Sequence, residues 1–558
     1  MTLGESDTRA KLINPKLYQR GWTEDQIRRE ETAGSIHIVR GKAQKSSKGR
    51  IDYTLRIRVS EETEPIAVAL IEAKAEKYPP AHGLEQAKSY QLTERFNIPF
   101  VFSSNGHLFV EFDRLTGKTS EAKPLTEFPT PQDLKRRYEA AMGFRLEDEA
   151  AKPLLTPYTV GENYRYYQDA AIRAALEKIA QDRTQGHSGR VLLTLATGAG
   201  KTFIAVNLLK RIVDAGQMTK ALFVCDRDEL AGQATAAFQN VFGSNAARAT
   251  SGNAQKNARV VIATYQTLDV GDERGTANFL TINYPPNCFS HIIIDECHRS
   301  AWGKWSQVLT RNAQAVQIGL TATPRRLEIA EDTPEARADQ QITADNLKYF
   351  GEPVYEYDIA QGIEDGYLAA CEIKRSRVNL DDTGITIDQI LERNPKDAVT
   401  GAPITREELE AEYKKTSFEM RVVLPDRVLA MCADLFKYLL ETGGPEQKTV
   451  IFCARDNHAD RVAIAMNNLY ADWCRENGQR PAANYAFKCT SASGGKDYLA
   501  DLKGSNRNFF VATTVDLLST GVDVPSLRNV AFFKYMKSPI TFYQMVGRGT
   551  RLDEATEK

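Results

Sequence analysis

Cysteines are few and none are spaced as CxxC: eight are scattered over 558 residues. That excludes a disulfide framework, argues against a zinc site, and suggests reduced, mostly buried thiols in a cytosolic protein. No stretch approaches the ~20 apolar residues that a membrane span needs. The opening MTLGESDTRAKL lacks the charged-then-apolar form of a signal peptide. Excess charge is missing too, with Lys+Arg 72 against Asp+Glu 73 and a net charge of −1. Residues 1–150, 151–360 and 361–558 are each close to neutral. No segment is therefore a polycation, and any DNA binding must come from local grooves. No repeat of fixed period runs through the chain. Its 42% hydrophobic and 26% charged content is that of a globular protein, not a fibrous or disordered one. At ~150 residues per domain, the length suggests three or four domains.

Turn-rich joints stand at 152–163 (KPLLTPYTVGEN) and near 351–366 (GEPVYEYDIAQGIEDG), where Pro and Gly interrupt the periodicity. Between them, short β-branched runs (VLLTLAT, ALFVCD, VVIATY, HIIIDE, AVQIGLTAT) alternate with helical patterns. That alternation predicts a parallel sheet covered by helices on both faces. A second such series, from RVLAMCADLFKYLLE through TVIFCA and NFFVATT to NVAFFKY, predicts another α/β domain. The first 150 residues differ. They predict a strand pair at 51–59 and 66–72, then a helix from about Gly83.

Ala196-Thr197-Gly198-Ala199-Gly200-Lys201-Thr202 follows an apolar strand and opens a helix. Small residues there let backbone N–H groups close around phosphates at the helix N-terminus. Lys201 would reach the β- and γ-phosphates of ATP, and the Thr202 hydroxyl would sit on Mg²⁺. Leu195 replaces the first glycine of the usual GxxxxGK[ST] string. Some 95 residues downstream, Asp295-Glu296-Cys297-His298 follows the strand HIII. Asp295 can hold the Mg²⁺, and Glu296 can orient the attacking water. Standing alone, two acids after an apolar strand are an ordinary solvated strand end. Thr321-Ala322-Thr323 could sense the nucleotide state. Arg548 and Arg551, three apart in QMVGRGTR, would share a helix face and could stabilise transition-state charge as arginine fingers.

Together these pieces resemble the superfamily 2 helicase-like ATPases over roughly 165–558. Tyr167-Gln168 is similar to that family's adenine-reading glutamine motif, and Val224-Cys225-Asp226-Arg227 to a DNA-contacting segment. Ala263-Thr264-Tyr265-Gln266 and Ser519-Thr520-Gly521-Val522-Asp523-Val524-Pro525 match in order. The resemblance implies two RecA-like domains, with ATP in the cleft between them.

In the first 150 residues, period-2 alternation puts Ile51, Tyr53, Leu55 and Ile57 on one strand face and Asp52 on the other. Glu72 and Lys74, two apart on the partner strand, point the same way. If that face is shared, two carboxylates and an ammonium converge, able to hold Mg²⁺ and position a water. Gln86 and Tyr90 are i,i+4 neighbours on the next helix. The plainer possibility is an exposed strand edge carrying a surface ion pair. The order GxxD…ExK…QxxxY resembles the PD-(D/E)xK nuclease fold, in the branch with a glutamine–tyrosine helix. That likeness implies Asp52, Glu72 and the Ala73 carbonyl as metal ligands, with either Glu30 or Glu31 as a further acid. Just upstream, Arg40, Lys42, Lys45, Lys48 and Arg50 form an acid-free run, either a solvated loop or a place that attracts a phosphate backbone.

A nuclease followed by a two-domain motor resembles the restriction (HsdR) subunit of type I restriction–modification enzymes. Glu5-Ser6-Asp7-Thr8-Arg9, Gly21-Trp22 and Phe102-Ser103-Ser104-Asn105-Gly106 also look like that family. The resemblance implies a bacterial cytoplasmic enzyme that uses ATP and Mg²⁺ to pull double-stranded DNA and cut it, assembled with modification (methyltransferase) and specificity subunits. The expected architecture is α/β, with a nuclease domain at 1–150 and RecA-like domains at 151–360 and 361–558. The family's C-terminal docking region is expected to be absent, making this a fragment, and the link at 488–510 is short. Two other readings stay open: a stand-alone helicase with an inactive nuclease-like DNA-binding domain, and an ATP-dependent scaffold.

Overall fold

Runs of β-branched residues set the strands of this chain. The computed structural model describes residues 2–553 except 33–35, 40–41, 46–49, 89–94, 158–164, 227, 269–278, 298–305, 323–333, 376–385, 398–399, 413–421, 491–497, 505–506, 516–523 and 537. The chain divides into two units, Met1–Leu327 with Gln340–Gly366, and Glu328–Asp339 with Tyr367–Lys558.

The first unit contains two sheets. The N-terminal one runs through β1 (Ile27–Thr32), β2 (Arg50–Ile57), β3 (Ile66–Ala73), β4 (Phe100–Ser104) and β5 (Leu108–Asp113), side by side in that order. All neighbours are antiparallel except β3 and β4. A parallel pair needs a crossover, and this one carries a 3₁₀ turn, Pro80–Gly83, and the short helix α1, Leu84–Lys88. Every residue of β3 is buried. In β2 the apolar Ile51, Tyr53, Leu55 and Ile57 are buried, but so are Asp52, Thr54 and Arg56 on the opposite face.

The second sheet is parallel throughout, in the order β8-β9-β7-β10-β11-β6-β12. Its strands are β6 (Arg190–Leu195), β7 (Ala221–Cys225), β8 (Ala246–Arg248), β9 (Val260–Thr264), β10 (His291–Asp295), β11 (Val316–Thr321) and β12 (Tyr355–Tyr357). Its helices include α2 (Tyr166–Thr184), α3 (Lys201–Asp214) and α4 (Asp228–Phe242). Leu222, Val224, Val261, Ala263, Ile292 and Ile294 join one hydrophobic core. From the other face of β7, Phe223 meets Phe238 of α4 with ring centroids 5.2 Å apart. Both faces are therefore apolar, as a helix-covered parallel sheet requires. The Pro- and Gly-rich stretch 351–366 holds edge strand β12.

The second unit has a smaller parallel sheet, β14-β15-β13-β16. Its strands are β13 (Thr449–Phe452), β14 (Ala486–Lys488), β15 (Val511–Thr514) and β16 (Asn529–Phe532). Helices α5 (Pro425–Thr442) and α6 (Asp456–Glu476) contribute to a core built on Val428, Phe436, Val462 and Met466. A short helix, α7 (Pro539–Val546), follows β16. Ahead of α5, Ile390, Leu409, Val422 and Leu424 form a separate small core. The chain is α/β with RecA-like parallel sheets. No helix among the described residues is long and apolar enough to cross a membrane.

Candidate functional site

The glycine-rich loop leaves β6 and ends at α3. Leu195, in place of the expected first glycine, is the last residue of β6, fully buried and paired with Tyr357 of β12. The substitution thus falls in a strand, where a side chain packs and no special backbone angle is needed. The turn tightens through Ala199 N–H donating to Ala196 O at 3.0 Å. Gly198 (φ +88°) and Gly200 (φ +84°) are left-handed, a region that glycine enters without cost. A Cβ on Gly200 would also lie 2.6 Å from Gln168 Nε2. Gln168 Nε2 and the Tyr167 hydroxyl both donate to Ala199 O, at 3.3 and 2.9 Å. Tyr167 stacks on Tyr357 with centroids 3.9 Å apart. The start of α2 is thus fixed to the loop. Thr197 is buried, and Thr202 is half-buried in the first turn of α3.

Strands β6 and β10 flank β11, so Leu195, Thr321 and Asp295 end at one edge of the sheet. That carboxyl edge is where open α/β sheets bind ligands. Lys201 Nζ lies 2.6 Å from Glu296 Oε1, and both side chains are largely buried. Glu296 takes a left-handed backbone (φ +54°), and its N–H donates to Asp295 Oδ1 at 3.1 Å. Strain of this kind in a non-glycine residue concentrates at functional sites. Thr202 and Asp295 offer the hard oxygen donors that suit Mg²⁺ beside a phosphate. His298, Thr323, Arg227 and Ser519–Asp523 lie outside the described residues.

In the N-terminal sheet, Tyr53 pairs with Ile71, which puts Asp52 and Glu72 on a common face. Asp52 Oδ2 accepts Ala73 N–H at 2.7 Å, and Oδ1 accepts from Arg9 Nη1 at 2.9 Å. Lys74 Nζ donates to Glu72 Oε1 at 2.6 Å and to Gln86 Oε1 at 3.1 Å. Burial pushes the Glu72 carboxyl up to about 7 against the pull of Lys74, and Asp52 adds to the rise. Burial raises Asp52 as well. Gly83 completes a close-walled cradle, since a Cβ there would come within 2.8 Å of Glu72 Cγ, Lys74 Cε and Ser103 Oγ. The structure thus brings Asp52, Glu72, Lys74 and Gln86 together, while Tyr90 lies outside the described residues. Among those residues, no group of three His, Cys, Asp or Glu side chains is arranged to hold a metal ion. Asp52 and Glu72 place two carboxylates on that common face. That set fits Mg²⁺, which keeps several waters and needs only one or two carboxylates. Side chains of the basic run 40–50 lie outside the described residues.

No sequence motif marks how the two sheets of the first unit are joined. Arg173, on α2, donates to Ala67 O at 3.0 Å, Asn97 O at 2.8 Å and Phe96 O. Glu177, one turn on, accepts from Tyr138 OH at 2.6 Å and Asn97 Nδ2 at 2.9 Å. Arg95 pairs with Asp365 at 2.9 Å and with Glu364. Asp365 also accepts from Tyr357 OH at 2.7 Å and from Tyr166 OH. The helix that touches the phosphate loop is thus bolted to the N-terminal sheet.

Arg548 and Arg551 belong to the second unit and are half-buried. They do not share a helix face as the spacing suggested. Helix α7 ends at Val546, and Gly547 and Gly549 carry the chain on in turns, with Gly549 N–H donating to Val546 O at 2.9 Å.

Comparison with known proteins gives these features a context. Residues 162–326 match the family described as "Type III restriction enzyme, res subunit", and residues 431–553 match the helicase conserved C-terminal domain. The chain is 30% identical to the type I restriction enzyme EcoAI endonuclease subunit of Escherichia coli, over 99% of this chain and 64% of that one. It is 25% identical to the EcoKI endonuclease subunit of Escherichia coli K12, over 87% of this chain and 42% of that one. The chain thus spans less than two thirds of each relative. A solved HsdR-subunit fragment of a type I restriction enzyme from Vibrio vulnificus YJ016 is 29% identical, with a TM-score of 0.74, over 100% of this chain and 92% of that one. The chain carries ResIII and helicase C-terminal domains and is homologous to type I restriction enzyme endonuclease subunits.

Proposed function

We propose that this chain is the motor and nuclease part of a type I restriction subunit, an ATP-driven translocase of double-stranded DNA that is also a Mg²⁺-dependent endonuclease. The observation that carries this reading is the presence, in one unit, of a phosphate loop closed by Lys201 and Glu296 and of a buried Asp52–Glu72–Lys74 cluster. The homologues support the same assignment.

In the motor, Lys201 and the backbone of Thr197–Gly200 bind ATP phosphates, while Thr202 and Asp295 would hold its Mg²⁺. Glu296 orients the attacking water, and Gln168 and Tyr167 tie the adenine side to the loop. Arg548 and Arg551, in the second unit, are the candidate arginine fingers. In the nuclease, Asp52, Glu72 and the Ala73 carbonyl would hold Mg²⁺, which when bound polarises the phosphodiester and its water. Lys74 orients that water, and Gln86 fixes Lys74. Modification and specificity subunits are the partners, and the setting is the bacterial cytoplasm. Recognition of a DNA sequence falls to the specificity subunit.

The test is an ATPase and plasmid-cleavage assay with and without candidate modification and specificity subunits. DNA-stimulated ATP hydrolysis that survives Lys201→Ala would overturn the motor. Cleavage in the complex that survives Asp52→Ala would overturn the nuclease and favour a stand-alone helicase.

A further inference from the structure

Two sequence motifs that neither activity uses meet beside Asp52. The N-terminal segment runs as a helical turn (Glu5–Thr8), a wide π-type turn (Arg9–Ile13) and a further helix (Asn14–Gln19). Such widened turns are rare and are frequently found at functional sites. This one presses on Gly106, where a Cβ would lie 2.7 Å from Leu12 Cδ1 and 2.8 Å from Thr8 Cγ2. Gly106 is left-handed at φ +89°. Its turn is held by Asn105 Oδ1, which accepts the N–H groups of His107 and Leu108 at 3.1 and 3.0 Å. A larger residue at 106 would lift the segment away, so glycine there sets where Arg9 arrives.

Arg9 arrives on the nuclease cluster. Its Nη1 lies 2.9 Å from Asp52 Oδ1 and 3.4 Å from Glu30 Oε1. Of the two acids that the sequence left open, Glu30 therefore joins the cluster, through Arg9. Glu31 instead accepts from Thr54 and pairs with Arg28. With Asp52 Oδ2 committed to the Ala73 N–H, Oδ1 is the oxygen for which a guanidinium and a metal ion compete. A buried carboxylate left without a countercharge is strongly destabilising. Arg9 is 22% exposed, against 9% for Asp52, so it has room to move aside.

We propose that Arg9 is a placeholder cation of the nuclease site. It neutralises Asp52 until a divalent ion takes Oδ1, and Glu30 then receives the displaced guanidinium. This rests on the nuclease reading above. The exchange moves no covalent bond.

The test is calorimetric titration of the full chain with Mn²⁺, following the heat that Asp52→Ala removes. If Asp52→Ala removes none, the nuclease reading itself fails, whatever Arg9 does. Given that Asp52-dependent heat, Arg9→Gln should bind Mn²⁺ severalfold more tightly, because the competitor is gone. Glu30→Gln should bind it more weakly, because the displaced arginine has lost its seat. A purely structural Arg9 gives the opposite pattern: weaker binding in Arg9→Gln and no change in Glu30→Gln. Either of those results overturns the proposal. Should Arg9→Gln not fold, Arg9→Lys, which keeps the charge and loses the planar fork, is titrated in its place: tighter Mn²⁺ binding supports the proposal and unchanged or weaker binding overturns it.

Discussion

Lys201 Nζ sits 2.6 Å from Glu296 Oε1, so the lysine of the phosphate loop and the acid after β10 share one bond. Losing the carboxylate charge while keeping its shape separates binding from chemistry. Glu296→Gln should retain ATP affinity and lower the hydrolysis rate roughly 10²–10³-fold, the usual cost of removing one preorganised catalytic group. Nucleotide titration alongside steady-state ATPase measures both. Equal loss of binding and rate would make Glu296 a structural partner only.

Asp52→Ala removes the proposed nuclease ligand, which lies in a different sheet from the strand that leads into the phosphate loop. Mg²⁺-dependent cleavage by the reconstituted complex should fall to background, while DNA-stimulated ATPase stays within about twofold, since separated sites act almost additively. Plasmid cleavage and phosphate release from the same preparation check this.

Arg173→Ala should destabilise the first unit by about 3–5 kcal/mol, because it strips a buried cation from Glu177 and leaves the carbonyls of Ala67, Phe96 and Asn97, the first two buried, without their donor. Arg173→Lys should recover little, as an ammonium lacks the planar fork that spans those oxygens. Denaturant melts and limited proteolysis between the sheets would report it. An unchanged midpoint would mean that the junction contributes nothing.

Two buried histidines predict acid sensitivity. Burial, helped by nearby arginines, holds His291 and His458 down to about 3. Unfolded, both titrate near 6.5. Between those values the unfolded chain binds protons that the folded chain refuses. The stability they contribute is therefore fully present above pH ~6.5 and is lost as pH falls. The melting temperature should drop from pH 7.5 to 5, and His291→Asn should flatten that slope for the first unit.

What could be read from the sequence was local. The phosphate loop, Asp295-Glu296 and the long parallel strands are contiguous residues whose chemistry and periodicity sit side by side. Asp52, Glu72 and Lys74 were legible because alternation along paired strands fixes their faces. Arg9 with Glu30, and Arg95 with Asp365, were not, because each pair joins distant segments and leaves no periodic trace. Strands β12 and β14 are three residues each, too short for alternation to register. The helical face expected for Arg548 and Arg551 ignored the glycines on either side of Arg548.

The bonds of Arg173 and Glu177 bear on how such a chain can be recombined. A splice placed between the first two sheets would strand α2, which carries contacts to the phosphate loop at one end and to the N-terminal sheet further along. Exchange between relatives at that point would bring together surfaces that do not fit, however well each half folds. A crossover after Gly366 keeps both sheets of the first unit together and also carries along Glu328–Asp339, which groups with the second unit. The N-terminal sheet and the first parallel sheet should therefore be inherited as one block.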